Sequence, residues 1–474
     1  MPNPKQTFGI IIGTRGFFNA ALAEGERVKI VALMKRLGYG CVVLGSTATP
    51  SGSGAIESSD DAAKCAALFK EHREEISGLV VMLPNFGDEI AIATAIKEAN
   101  LNVPVLVQAS TDDIDKVDYS QRRDAFCGKI SVCNNLVQYG IPFSLTSQHT
   151  TAIDSPEFEK DLREFAAVCR IVKGVRAVRL GAIGARPASF QTMRFSEKLL
   201  AACGATVVTV DLSEIIAAAK AMDPKSAAMR ARIKQIREYG RIAKEVPPER
   251  VALQAGLCLA LEAWIKRNRI NAAGIQCWQS IQFNYGCAAC LAMSMLSEAG
   301  IPSACEVDVP GALSMYALTL AAGSPPALMD WNNNYGKDPN KCVGQHCGNF
   351  AKSFVNAPIE ISHLDVMGHN IGNDICFGAI YGRVASGPMT YCRISTDDRA
   401  GVVKAYCGDG EFTDDVFDMT GGISVCRIEN MQKLFRHICW NGFEHHVAMV
   451  RGHHARAINE AFARYLSWPV YLHE

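Results

Sequence analysis

Residues 8–46, FGIIIGTRGFFNAALAEGERVKIVALMKRLGYGCVVLGS, carry the reading of the fold. The apolar run FGIII ends in a glycine turn, and residues 19–39 then place apolar side chains at helical spacing. CVVLGS at 41–46 is a second short apolar run. A short apolar run, a long helix and another apolar run make a right-handed βαβ unit, and hence a parallel sheet. The alternation continues with a helix in DDAAKCAALFKEHREEI (60–76), a strand in GLVVMLPNF (78–86), a further helix, and a strand in PVLVQAS (104–110). The turn GTRGFFN (13–19) lacks the GxGxxG spacing of a dinucleotide site, so it reads as a substrate-facing loop.

A second α/β stretch follows the polar segment TSQHTTAIDSPEF (146–158). Its strands are AVRLGAIG (177–184) and TVVTVDLS (206–213), and its helices include 226–246 and the run near 253–266. Composition shifts near residue 325. From SPPALMDWNNNYG (324–336) onward, Gly, Asn and Asp separate strand-like pieces such as GAIYGRVAS, MTYCRIST and VVKAYCGDG, a β-rich pattern. A last helix, ARAINEAFARYL (455–466), precedes a short strand in WPVYLHE (468–474). The expected fold class is α/β, with two consecutive Rossmann-like parallel-sheet domains followed by a β-rich, barrel-like C-terminal domain. The expected boundaries are 1–146, 147–325 and 326–474.

Length and composition agree with several domains. The chain has 474 residues, of which 49 % are hydrophobic and 20 % charged, and 48 basic side chains balance 48 acidic ones. No basic block is present to neutralise phosphates, which argues against a nucleic-acid partner and for a small one. No apolar run has the length of a membrane span, and the one after MPNPKQT is too short for a signal peptide. With 18 cysteines lacking the spacing of a secreted scaffold, reduced thiols in the cytoplasm are the expectation. Cys287 and Cys290 have CxxC spacing but lie in YGCAACLAMSMLSEAG, where helix packing is the simpler role.

Histidine concentrates late in the chain. Five of the 11 histidines fall within residues 445–473, four of them in GFEHHVAMVRGHHARAI as His445, His446, His453 and His454. Histidine is the commonest neutral metal ligand, and carboxylates supply the hard oxygens that suit manganese or magnesium. Glu306, in IPSACEVDVPGAL, and Asp330, in PPALMDWNNNYG, each follow an apolar stretch read as a strand. A strand end is a common place for catalytic groups, although each could equally be a helix cap or a turn former. Asp308 shares the strand face of Glu306 on this reading and is a candidate supporting partner. His363, Asp365 and His369 in ISHLDVMGHN are a competing triad, read more simply as polar residues of a barrel.

With QHCGNF (345–350) added, these segments resemble the L-fucose and L-arabinose isomerases. Glu306 and Asp330 are 24 positions apart (330 − 306), the interval between the metal-binding Glu and Asp of the fucose enzymes. The resemblance implies His446, rather than His445, as the next ligand, since Gly452 and His453 follow it at the family's step. It implies His346 as a fourth ligand, Arg15 as a residue reaching the substrate of a neighbouring subunit, and Gln108 at a comparable strand end. It also implies a divalent cation, Mn2+ with Mg2+ or Co2+ as alternatives, and a homo-oligomer, a hexamer, with active sites at subunit contacts. Trp278, Gln279, Trp331 and His445 join Arg15 and Gln108 as candidates for contacting the sugar.

The function expected is an aldose–ketose isomerase acting on a pentose, deoxyhexose or modified hexose through a cis-enediol(ate). A chelating cation acidifies the C2 proton, and Glu306 and Asp330 divide the acid and base roles. The rivals are a sugar-binding or regulatory protein on the same fold, which needs no metal, and a metal-dependent hydrolase, for which the same ligands serve.

Overall fold

A computed structural model describes residues 6–474; of the N-terminal segment read above, residues 1–5 lie outside the described residues. The chain divides into two compact units. The first runs to residue 173 and includes 463–467. Its strands are β1 (Thr7–Ile12), β2 (Gly40–Val43), β3 (Ile76–Leu83), β4 (Val105–Ala109) and β5 (Ser144–Leu145). They form a parallel sheet in the order β2-β1-β3-β4-β5, the doubly wound order expected when βαβ units run outward both ways from β1. β3 is buried along its whole length, which explains why GLVVML shows no polar alternation. Asn19 starts the helix Ala20–Arg36 by accepting the Ala21 N–H. The helix Pro156–Val175 packs Phe158, Leu162 and Phe165 against Phe8 and Ile10 of this unit.

The second unit, residues 174–462 and 468–474, holds two sheets. The smaller contains β6 (Arg179–Ile183) and β7 (Thr206–Val210), and, after β8 (Arg241–Ile242), β9 (Ala272–Ile275) and β10 (Ser303–Ala304). It is parallel, in the order β10-β9-β6-β7. The larger contains β11 (Ala327–Asn334), β12 (Lys341–His346), β13 (Glu360–His363), β14 (Phe377–Arg383), β15 (Gly387–Asp397), β16 (Val402–Phe412), β17 (Gly422–Arg427), β18 (His446–Arg451) and β19 (Val470–His473), with β8 at its edge.

Six of these strands close on themselves. The antiparallel pairs β16–β15, β15–β18, β18–β11, β11–β12 and β12–β17 are completed by β17–β16, through Glu411↔Arg427 and Phe412↔Cys426. The α/β class with a barrel-like third region is therefore the fold observed. Met329, Met389, Tyr391, Tyr406, Val447 and Met449 belong to the core cluster of this region. Full burial of each such side chain contributes roughly 1.5–3 kcal/mol.

Three local expectations are corrected. The helix expected over 226–246 ends at Tyr239. Gly240 is extended there, and a Cβ on it would meet Ile359 and Ile361, so pairing of Arg241–Ile242 with β13 overrides the helical pattern. Glu306 and Asp308 share no strand, because β10 stops at Ala304 and Asp308 caps the helix Val309–Ala322. Asp330 lies inside β11 rather than at its end, because the polar WNNN continues the strand by pairing with β12.

Candidate metal centre

Three of the expected ligands sit on neighbouring strands of the closed ring. Across the β11–β18 pair Asp330 faces His446, and across the β11–β12 pair it faces Gln345, the residue before His346. Directly opposed residues of antiparallel strands bring their Cβ atoms to about 5 Å. The fourth, Glu306, arrives from the turn after β10. His446 Nε2 is 2.9 Å from Glu306 Oε2 and 3.5 Å from Asp330 Oδ1. His346 Nε2 is 3.4 Å from His446 Nε2 and 3.9 Å from Glu306 Oε2.

Adjacent donors on one six-coordinate cation lie roughly 3 Å apart, given bonds of about 2.1 Å. Glu306 Oε2 and Asp330 Oδ1 are buried and make no hydrogen bond, a costly state that a cation between them would relieve. The donor set therefore fits a divalent metal.

The turn that carries Glu306 is strained. Glu306 has φ +54° and the β-branched Val307 has φ +56°, a region such side chains avoid at a cost of about 1–3 kcal/mol each. Its surroundings hold it in place. A Cβ on Gly274 of β9 would stand 2.8 Å from the Val307 carbonyl carbon, so the turn lies directly on that bare strand position. Asp308 accepts the Gly311 N–H at 2.8 Å. The Trp278 indole N–H donates to Glu306 Oε1 at 3.1 Å, and the Cys277 thiol lies 3.6 Å from the same oxygen. Burial works against the Glu306 charge, but His446 and His346 outweigh it and hold the carboxyl below its ordinary range.

Behind His446 lies a fully buried ionic network. His446 Nδ1 is 2.8 Å from Asp308 Oδ2. The Arg393 guanidinium donates to both oxygens of Asp308, and its Nε donates to Glu444 at 3.0 Å. Arg393 and Asp308 are 0 % exposed. Despite burial, Arg393 and His446 keep the Asp308 carboxyl far below the usual carboxylate range. Burial alone would lower the His446 pKa; the Asp308 and Glu306 carboxylates beside the ring instead raise it to about 9. With Nδ1 held by Asp308, Nε2 is the ring atom that faces the carboxylates, the arrangement a metal-bound histidine needs.

His346 differs. Its Nδ1 accepts the Cys347 amide N–H at 2.9 Å and lies 3.2 Å from Cys347 Sγ. A neutral imidazole accepts at one nitrogen only, so in this ring orientation the hydrogen belongs on Nε2.

The remaining predicted residues scatter in role. Trp278 and Gln279 precede the helix Ser280–Tyr285, and Trp278 packs edge-on to Phe190 at 5.0 Å. His445 is 40 % exposed and stands 3.9 Å from Asp330 Oδ1. Trp331 donates to the Tyr406 hydroxyl at 2.9 Å. Trp331 and His445, chain neighbours of two ligands, line a cavity of 580 Å³.

In the first unit, Arg15 pairs with Glu89 and lies over the Phe86 ring. Gln108 is fully buried, its amide donating to the Thr151 carbonyl at 2.7 Å and to Ser110, an internal placement for a residue expected to face the sugar. His363, Asp365 and His369 form no donor cluster among the described residues. Cys287 and Cys290 are completely buried at the start of the helix Cys290–Glu298.

The sequence reading passed over Arg393, Glu444, Phe190 and Cys347. An arginine in the middle of MTYCRIST was a visible signal, since a charge inside a buried strand demands a partner.

Residues 9–176 match the model of the fucose/sulfoquinovose isomerase N-terminal domain, and residues 344–473 match that of the L-fucose isomerase C-terminal domain. The chain belongs to the L-fucose isomerase-like family. It is accordingly a sugar aldose–ketose isomerase by class. The sulfoquinovose isomerase of Alkalicoccus urumqiensis is 26 % identical over 321 residues, covering 67 % of this chain and 70 % of that one. Its counterpart in Priestia aryabhattai is 25 % identical over 338 residues, covering 70 % and 72 %. Among the described residues of this L-fucose isomerase-like chain, no helix is long and apolar enough to cross a membrane.

Proposed function

We propose that the protein is a manganese-dependent isomerase of a sulfonated aldohexose, with sulfoquinovose or a close relative as substrate. The observation that carries the metal reading is the meeting of Glu306 Oε2, Asp330 Oδ1 and His446 Nε2, with two buried carboxylate oxygens that make no hydrogen bond. The sulfonated substrate rests on the names of the relatives. Glu306, Asp330 and His446 would hold the cation, and His346 would join them once its Nε2 hydrogen is lost or its ring turned over. When bound, the cation polarises the sugar's carbonyl and hydroxyl oxygens and so acidifies the adjacent C–H bond.

The chain's own groups do the rest. Glu306, kept anionic and fixed through Oε1 by Trp278, and Asp330, 26 % exposed, form the acid–base pair that removes a proton at one of C1 and C2 and returns one at the other. Trp278, Phe190 and His445 offer aromatic faces to the sugar, with Gln279 and Trp331 beside them. On the same reading the protein is cytoplasmic and a homo-oligomer, a hexamer by the family pattern, in which Arg15 serves a neighbouring copy's site.

The test is to incubate the protein and Mn2+ in deuterated water with sulfoquinovose, fucose and arabinose, following ketose formation and deuterium at C1 or C2. Exchange with ketose formation is expected for the sulfonated sugar; no exchange with any aldose would sink the reading. Glu306→Gln should retain the fold and lose at least 10³-fold in kcat, about 4 kcal/mol of barrier. Wild-type rates in that variant would remove Glu306 from the chemistry.

A further inference from the structure

Sulfur crowds one flank of the metal centre. Cys347 Sγ lies 3.9 Å from Cys305 Sγ and 4.0 Å from Cys290 Sγ. Cys277, Cys290 and Cys305 are at most 1 % exposed, and all of these thiols are free. Cys305 directly precedes Glu306, and Cys347 directly follows His346. The sulfurs of Cys305 and Cys347 and a nitrogen of His346 all lie within 4.8 Å of one another.

Two sulfurs bound to one tetrahedral cation at about 2.3 Å stand roughly 3.8 Å apart, close to the spacing here. The third donor is His346 Nδ1, 3.2 Å from Cys347 Sγ. Its lone pair accepts the Cys347 amide N–H at 2.9 Å, a bond that a cation at this nitrogen displaces. Two soft sulfurs with one imidazole nitrogen select zinc-like cations, whereas the carboxylate-rich set around Glu306 and Asp330 selects hard ones.

We propose that Cys305, Cys347 and His346 Nδ1 form a second cation site that takes thiophilic ions such as Zn2+ or Cd2+ and antagonises the catalytic metal. The antagonism follows from the imidazole. A neutral ring has one lone pair to give, so a soft ion on Nδ1 leaves the hydrogen on Nε2 and withholds His346 from the catalytic cation. Both sulfurs bind as thiolates, so any thiol still carrying its proton releases it to solvent, and Nδ1 gives its lone pair in place of the hydrogen bond it accepts from the Cys347 amide. The coupling is reciprocal, each ion weakening the other by the same factor. Occupation of the site stands on the sulfur geometry alone; the antagonism rests on the catalytic reading above.

The experiment titrates Cd2+ into the Mn2+-loaded protein under a phosphine reductant. It reads thiolate-to-cadmium absorption in the near ultraviolet and the rate of iodoacetamide labelling at each cysteine by peptide mapping. Expected are one thiolate-bound Cd2+ per chain, protection of Cys347 against alkylation, and loss of most of that absorption in Cys305→Ser. Cys127→Ser, in the first unit, should behave as wild type. The Mn2+ concentration for half-maximal activity should rise at least five-fold with Cd2+ in the wild type and less than two-fold in Cys305→Ser.

Unchanged labelling of Cys347 in the wild type, or absorption mapping to other cysteines, would overturn the site without relying on any variant's folding. Thiolate absorption with no change in Mn2+ requirement would overturn the antagonism. A protein inactive on every sugar would fail the functional reading while leaving the absorption and labelling results to judge the site.

Discussion

At the scale of single residues, Asp308 is the most consequential group outside the cation's immediate reach. It fixes the tautomer of His446 and takes both arms of Arg393. Asp308→Asn should weaken Mn2+ binding 10–100-fold, the usual penalty for losing a ligand's supporting carboxylate, while kcat at saturating metal changes much less. Metal-activation curves check this, and an equal loss in kcat at saturation would argue against a positioning role. Lys129 offers a second test. It is buried, with Nζ 2.7 Å from Thr146 Oγ1 and 3.2 Å from the His149 carbonyl, and burial lowers its pKa from 10.5 to about 8. Below pH 8 it is protonated whether folded or unfolded, so the penalty of burying the charge is fully present. Between pH 8 and 10.5 the folded form gives up its proton first, so this group's contribution to stability rises with pH. Lys129→Met should flatten that part of the urea-midpoint profile; an identical slope in both proteins would refute the assignment. Of the residues themselves, His446 was singled out from His445, and Glu306 paired with Asp330, only through the family resemblance, since four histidines crowd residues 445–454 and either carboxylate could as well cap a helix or form a turn. Arg393 meets Asp308 from 85 positions away in sequence, and Glu444 meets Arg393 from 51 (393 − 308, 444 − 393), separations that no local pattern encodes.

Among the elements, the parallel strands could be read directly because buried β3 and β4 contain the apolar runs LVVML and VLV. The β-rich region could be read only as a class. Its alternating strands give no sign of which pairs with which, and closure depends on two residue pairs between β16 and β17. The turn 305–308 could not be read at all, since Glu306 and Val307 are among the residues least suited to positive φ. Tertiary contact decides it, and Gly274 is the contact that decides most. Gly274→Ala should push the turn off β9 and cost about 1–3 kcal/mol through overpacking. Mn2+ affinity and kcat should fall together while the circular dichroism of the fold persists. Wild-type metal affinity in this variant would show that the turn has room the structure does not give it.

For the whole molecule, the two units should respond differently to the cation. All four candidate ligands belong to the unit spanning 174–462, so metal binding is linked to that unit's unfolding. At a free Mn2+ concentration one hundred times Kd the gain is about 2.7 kcal/mol. Hydrogen exchange should slow in β11, β12 and β18 and stay unchanged in β1, β3 and β4; uniform protection would mean that the units unfold together. The closed ring has one further consequence, for the size of ion accepted. Asp330, His346 and His446 project from three strands whose separation is locked by antiparallel pairing, so they act as fixed pins. Glu306 rides on a sprung turn and is the movable jaw. A larger cation can be accommodated only by Glu306 withdrawing and a smaller one only by its advance, so the stiffness of four residues, 305–308, sets how sharply the protein tells Mg2+ from Mn2+ from Ca2+.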